Sequence, residues 1–523
     1  MPAIVTDKLR ILNANSFVNS VNDESNSFYV FVGLSNPSTS GFGRVANWND
    51  NTPNPIDNTD YLHHYGSTIM YGKKITAGNI KRVVRKIEWQ SGRQYEMYRP
   101  DYSVVNPSPT TGAMRLYDAD YYVINSDYRV YICIDNGATG IKTSGNASQV
   151  EPTFTDLEPT KLSDGYTWKY LFTISPSDLI KFDSTEYITL PNDWDTSTDA
   201  AIVSVRENGD SFTNENQIKK VYVENKGSGY TIPNGTSANI VGDGSGGRVS
   251  LEVDTSGRIN NVIVTAGGKN YTFALIDLGT TATTVPGVFA QLIPIIPPSK
   301  GHGYDIYTEL GADKILIYAR FDDSTRNFPI DTEFAQIGIV KNPKIYDTTG
   351  ITTENYEGDT FSAVFGAKLN SVAGTVEIGD RIEQQVGSGY AYGYVVSYDT
   401  ETKVLKYYQD RSLYYNGGNG VNHTDFIGVS SFFDSTTGDI LQFNSTNVIS
   451  KSAGGFSASI DSNFSGITTV VSNKVINLGV EFTSGLSSPE INNTTGDIVY
   501  VDNRPAVIRN LRQKEDIKII LEF

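Results

Sequence analysis

Gly242, Gly244 and Gly247 stand at G-x-G-x-x-G spacing within "VYVENKGSGYTIPNGTSANIVGDGSGGRVSLEVD", Val221 to Asp254, the spacing that cradles a pyrophosphate in dinucleotide-binding enzymes. That chemistry needs a strand to deliver the glycines to the N-terminus of a helix, whose free N–H groups then face phosphate. The next residues, "RVSLEVD", instead alternate apolar and polar as a strand does. No acidic residue can be placed at the end of a second βαβ strand, and no Lys-Ser/Thr pair comes after the glycines. The glycines are read as tight β-turns, where glycine tolerates positive φ. No nucleotide or other cofactor is expected.

The remaining reactive side chains form no catalytic pattern. His63, His64, His302 and His423 are the only histidines, and none has a second His, Cys or Glu at metal-ligand spacing, so no metal is expected. The acidic runs "YDADYY" and "DWDTSTD" lack the glycine and terminal glutamate of a calcium loop. There is no G-x-S-x-G elbow, and among the many loop carboxylates no pair for sugar hydrolysis can be picked out. Cys133, the single cysteine, alternates with Tyr131 in "RVYICIDN" and reads as a buried strand residue. The chain is not expected to be an enzyme, a polysaccharide-degrading activity being the weakest of the classes considered.

What is left is chemistry of contact. Six Lys or Arg fall between Lys73 and Lys86 in a chain of net charge −17. In "AGNIKRVVRKIEW", Ile80, Val83, Val84 and Ile87 form an apolar stripe at helical spacing, which would place Lys81, Arg82, Arg85 and Lys86 on the opposite face, facing solvent or an acidic partner. In "SLYYNGGNG", Tyr414 and Tyr415 read as exposed and suit a host-surface glycan or receptor. Arg504, in the turn expected at "DNRP", anchors that turn or reaches a partner carboxylate.

The elements that must position these residues are mostly strands. Helices are expected at the N-terminus, capped by Thr6 with Leu9, Leu12, Phe17 and Val21 on its apolar face, at residues 77–89, and at "SPSDLIKF", with Ser175 as N-cap and Pro176 at the first helical position. Elsewhere "YYVINSDYRVYICI", "YTWKYLFTI", "EYITL", "KILIYARF", "AQIGIV", "DIVYV" and "DIKIILEF" alternate or run apolar with β-branched and aromatic residues. A length of 523 residues exceeds what one core organises. Composition shifts to Gly, Asn, Val and Ile over 205–300, where "VENKGSGYT" and "VTAGGKNYT" repeat at an offset of 41, from Tyr230 to Tyr271. A second shift covers 355–487, where "VEIGDRIEQQVGSGYAYGYVVSYDTETKVLKYYQD" reads as three strands of a small barrel, with "YDTETK" as a hairpin connection.

The strongly acidic balance opposes a nucleic-acid partner, and no window approaches 18 uncharged apolar residues, so no membrane partner is expected. Charges at Asp7, Lys8 and Arg10 interrupt any signal-peptide core, which implies a soluble protein made in the cytoplasm. Tyrosine is abundant, at 32 copies, and most of them are expected to line sheet faces.

In order, "AIVTDKLR", "FYVFVG", "VVRKIEW", "YRPDYSVVN", "YRVYICIDN", "DGYTWKYLFTISP", "EYITLP", "FAQIGIVKNP" and "GDIVYVDNRPAVIRNLRQKEDIKIILEF" resemble the gene product 8 family of baseplate wedge subunits in T-even-like contractile-tailed phages. The resembling core covers 1–200, 305–350 and 489–523, leaving 205–300 as an inserted Gly-rich β module and 355–487 as inserted barrel-like β modules. The resemblance implies a mainly β, multidomain fold with a β-sandwich-like core and few short helices. It also implies a non-enzymatic virion protein, assembled in the host cytoplasm, that pairs with a second copy and contacts other baseplate wedge subunits. No small-molecule ligand is expected. A host-surface glycan- or receptor-binding tail protein is the alternative.

Overall fold

The computed structural model describes residues 5–38, 47–209, 217–279, 287–322, 332–347, 352–410, 440–510 and 513–523. They are mainly strand, with short helices, and divide into two compact units. One comprises Met1–Val18, Lys81–Leu316 and Ile520–Phe523, and the other Asn19–Ile80 and Ile317–Ile519.

The first unit is built on the antiparallel sheet of Tyr122–Ile124, Arg129–Asp135, Thr167–Thr173 and Thr160–Lys161, in that spatial order. Cys133 lies opposite Trp168 and is fully buried. Burial, with Asp135 adding to it, pushes its thiol pKa well up, so it stays a neutral packing group. The two inner strands are buried along most of their length, because Tyr95, Tyr121, Trp194 and Leu310 also close over the sheet in one continuous core. The helix Pro176–Phe182 is capped as its sequence requires: Ser175 accepts from the Asp178 N–H, and Pro176 occupies the first turn.

Two sequence expectations about helices fail. Residues 77–89 are not a helix: a single 3-10 turn, Ala77–Asn79, leads into the strand Ile80–Arg85, which pairs with Tyr187–Thr189. Both faces of this strand are covered, so Ile80, Arg82, Val83 and Val84 are all buried and the alternation that marks a strand is lost. Four apolar residues at 80, 83, 84 and 87 then fit a helical stripe equally well. In the N-terminal helix Asp7–Asn22, the buried stripe is Ile11, Ala14, Val18 and Val21, whereas Leu9 and Leu12 are exposed. The helices Thr59–Ser67, Ala200–Gly209 and Ile306–Leu310 were not expected from the sequence.

The glycine-rich stretch forms an open antiparallel sheet in the order Ile259–Lys269, Ser245–Val253, Thr236–Gly242, Ala274–Ile276. Beside it, Lys220–Asn225 pairs with Gln291–Ile295. A core of Val221, Tyr230, Val249, Leu251, Ile259 and Tyr271 fills it. The glycines run directly into the strand Ser245–Val253. None of Gly242, Gly244 and Gly247 has positive φ; Gly246 does, at 83°. They are glycine because of close approach: a Cβ on Gly242 would lie 2.2 Å from the Phe273 carbonyl oxygen, and one on Gly244 2.5 Å from that of Lys269. The Tyr271 hydroxyl accepts from the Gly247 N–H at 3.1 Å and donates to the Ile240 carbonyl at 3.0 Å, so a tyrosine takes the N–H that a phosphate would need.

The 41-residue repeat is a structural one. Gly227 and Gly268 both adopt positive φ, 63° and 62°, and each lies beneath the ring of the tyrosine three residues on, Tyr230 or Tyr271. Each tyrosine hydroxyl then accepts a backbone N–H from another strand or loop, Ala290 for Tyr230 and Gly247 for Tyr271. A side chain at either glycine would strike both the ring and the facing backbone.

The second unit holds an antiparallel sheet in the order Thr360–Ser362, Ile69–Lys74, Phe28–Gly33, Glu333–Lys341, Asp497–Ile508. Every residue of Phe28–Gly33 is buried. The expected turn at "DNRP" is not a turn: Asp497–Ile508 runs as one edge strand through Pro505. Its register against Glu333–Lys341 shifts between Phe334 and Gln336, which oppose Val507 and Asn503, so Pro505 sits in a bulge where its missing N–H costs the ladder nothing. The same unit carries a second sheet that closes on itself: Val404–Tyr408, Gly389–Asp399, Arg381–Val386, Ile449–Lys451, Phe456–Ile460 and Phe365–Gly374 pair in sequence, and the last pairs with the first. Its interior is Leu369, Ile382, Val395, Leu405 and Tyr407 among others. "YDTETK" makes the hairpin in which Asp399 opposes Val404.

Candidate interaction surface

The four cations of the 80–86 segment do not form one basic face. On the strand Ile80–Arg85, Lys81 and Arg85 lie on one face and Arg82 on the other, and each finds its own partner. Lys81 pairs with Asp178 at 3.2 Å, Arg85 with Asp120 at 3.4 Å and, beyond the strand, Lys86 with Glu88 at 2.8 Å. Arg82 is buried, and among the described residues no carboxylate pairs with it. It donates to Asn15 Oδ1 at 2.5 Å and to the Asn192 carbonyl at 3.2 Å, and its guanidinium lies 4.3 Å from the centre of the Tyr307 ring. Burial pulls its pKa below the usual arginine value, against the opposing pull of Tyr307.

Arg504 is used through its backbone: its carbonyl accepts from the Trp48 indole at 2.7 Å, while its exposed guanidinium pairs with Asp502 two residues back at 2.6 Å. Asn503 and Ala506 bond the same crossing segment, at Pro53 and Asn49. Tyr414 and Tyr415 lie outside the described residues.

Two features escaped the sequence reading. Arg99, in "YRPDYSVVN", is 1% exposed at its side chain and stacks 3.8 Å over the Tyr222 ring. Its fork binds Asp101 at 3.0 and 2.6 Å, with Glu224 at 3.6 Å. With Lys220, whose Nζ reaches both Asp135 and the Ala138 carbonyl at 2.8 Å, it fastens the glycine-rich strands to the neighbouring sheet. No local pattern marks this fastening, since Tyr222, Glu224 and Asp135 are distant in sequence from the cations they meet. The second feature is a groove of about 460 Å³ walled by Thr167–Thr173, Pro176–Phe182, the end of Tyr187–Thr189 and the start of Ala200–Gly209. Lys81 and Asp178 meet on its wall.

Among the described residues, no group of three or more His, Cys, Asp or Glu is placed to hold a metal ion, and no helix is long and apolar enough to cross a membrane. His64 and Asp410 form a buried pair at 2.8 Å, and His302 and Glu309 another at 2.5 Å. The Glu309 carboxylate also accepts the Gly303 N–H at 2.7 Å, which ties residues 302–303 to the short helix Ile306–Leu310. No protein-family model matches the chain. The chain is 27% identical over 223 residues to baseplate wedge protein gp8 of Enterobacteria phage T4, a match covering 36% of this chain and 60% of that protein. It thus spans about 60% of the length of this curated relative, and its relation to a phage baseplate wedge protein is a distant one.

Proposed function

We propose that this chain is a structural subunit of a contractile phage tail baseplate, a wedge component that pairs with a second copy and bridges neighbouring wedge proteins. The observation that carries the reading is the similarity to baseplate wedge protein gp8 of phage T4. The architecture suits the role. Cations that could serve chemistry are tied into internal pairs, and the exposed surface is offered by sheets and hairpins fixed by buried tyrosines. In this reading the glycine-rich sheet and the barrel are additions to a family core that enlarge its set of contacts. Subunits that stay docked through a rearrangement of the tail need rigid bodies and several interfaces of differing strength.

The test is assembly. The chain, co-expressed with the other baseplate proteins of its own phage and purified under near-physiological salt, is expected to co-elute with at least one of them as a complex containing two copies. A monomer that binds none of them overturns the reading.

A further inference from the structure

We propose that the groove beside Lys81 receives an extended peptide segment of a partner protein carrying a Lys or Arg next to an apolar anchor. The proposal deepens the baseplate reading and rests on it only for the partner's being a virion protein.

The groove's floor is apolar and fixed. Leu171, Phe172 and Trp194 are buried. The Trp194 indole donates to the Gly303 and Tyr304 carbonyls at 3.1 Å each, and its backbone N–H donates to the Tyr307 hydroxyl at 3.1 Å. A floor held in this way loses little freedom when covered, which favours binding by preorganisation. A volume of about 460 Å³ accommodates two or three side chains.

The charge on its lining is unbalanced. Asp178, Asp193 and Asp199 line the groove together with a single ammonium, that of Lys81, which Asp178 already neutralises at 3.2 Å. Asp193 and Asp199 are both exposed. Among the described residues, the Asp199 carboxylate accepts only the Ala201 N–H, at 2.8 Å. The nearby guanidinium groups are directed elsewhere, Arg82 to Asn15, Asn192 and Tyr307, and Arg206 to the carbonyls of Trp194 and Ser197. An incoming cation therefore meets two carboxylates without a competing ion pair.

Two strand edges make the occupant an extended one. Tyr187–Thr189 ends its sheet. Thr167–Thr173 pairs along one edge with Arg129–Asp135, but along the other only Thr167 and Trp168 are paired, with Lys161 and Thr160. Tyr170, Leu171, Phe172 and Thr173 then line the groove. A partner strand laid there would add main-chain hydrogen bonds, with alternate side chains reaching the floor and the acidic rim.

The test titrates the full chain with a fluorescein-labelled peptide of alternating Val and Lys, and with its counterpart carrying Glu for Lys. The Lys peptide is expected to bind, to weaken at least tenfold when Asp193→Asn and Asp199→Asn are combined, and to weaken similarly with Ala201→Trp, which fills the groove. Glu401→Gln, in the exposed turn of the closed barrel, is expected to leave binding unchanged and so reports attraction to the acidic surface at large. No binding, equal binding of the Glu peptide, or equal loss with Glu401→Gln overturns the proposal. None of these outcomes bears on whether the chain co-elutes with other baseplate proteins.

Discussion

In the glycine-rich sheet four strands lie open, and the outer pair Val241 and Leu275, directly opposed, is left 43% and 63% exposed. In the barrel six strands close through the pairing of Phe365–Gly374 with Val404–Tyr408, and Leu369, Leu405 and Tyr407 are sealed inside. Both regions are rich in Gly and Tyr, yet they handle strand edges differently. Closure removes edges altogether, whereas an open sheet depends on what it is fastened to. The open sheet shares its core with the neighbouring strand Lys220–Asn225, and that strand is fastened by buried charge, with Arg99 against Tyr222, Asp101 and Glu224, and Lys220 against Asp135. The barrel draws its stability from an apolar core that its own strands supply. Composition alone does not separate these two solutions; the pairing partners of the outermost strands do.

Leu405→Ala should separate the two regions most strongly. Removing a fully buried leucine from the barrel costs roughly 2–5 kcal/mol. Hydrogen exchange should then rise across the barrel strands while residues 218–276 keep their protection. If protection fell equally in both regions, the barrel would not be a separate cooperative body. Arg99→Ala should do the converse, at a cost of about 3 kcal/mol. The strands Lys220–Asn225 and Ile259–Lys269 should lose protection and the barrel should not. Arg99→Lys, which keeps the charge without the planar fork, should recover only part of the loss.

Tyr271→Phe is the smallest perturbation, about 1–2 kcal/mol, because it leaves the Gly247 N–H and the Ile240 carbonyl without their partner. Its effect should be confined to the Thr236–Gly242 and Ser245–Val253 hairpin. The repeat makes a further demand: Tyr230→Phe should behave alike at the Ala290 N–H, and a large difference between the two would show that the shared geometry does not carry an equal share of stability.

Where local chemistry decides, the sequence was sufficient. Ser175, Pro176 and Asp178 determine one helix start, and "YDTETK" one hairpin, because cap and turn preferences act over a few residues. The failures have a shared cause. At 80–87 both faces of a strand are covered, so its burial imitates a helical stripe; at Pro505 an edge position tolerates a residue that a central strand would reject. At Gly242 and Gly244 the constraint is a carbonyl more than 20 residues away, that of Phe273 or Lys269, which no local window contains. The groove was invisible for the same reason: its lining runs from Lys81 to Ile202, and the pattern around Lys81 pointed to a basic face that does not form. Of the largest fully buried tyrosines, Tyr29, Tyr71, Tyr122 and Tyr131 lie on strands, whereas Tyr95, Tyr121, Tyr166 and Tyr271 lie in the segments between them.

Ring closure in the barrel also sets an order in time. Arg381–Val386, Gly389–Asp399 and Val404–Tyr408 are joined by short turns, and such a meander forms early, hairpins closing in about 1–10 μs. The last seams wait for strands far along the chain: Ile382 meets Lys451, and Leu369 meets Ile460. Long loops must close before those contacts repay them, so the completed ring lies late on the folding path. Until then the inner faces of Val395 and Leu405 are open to other chains. Slow cooling or dilute refolding should therefore favour recovery of soluble folded protein over aggregate, and the yield should fall most steeply with concentration during that final step.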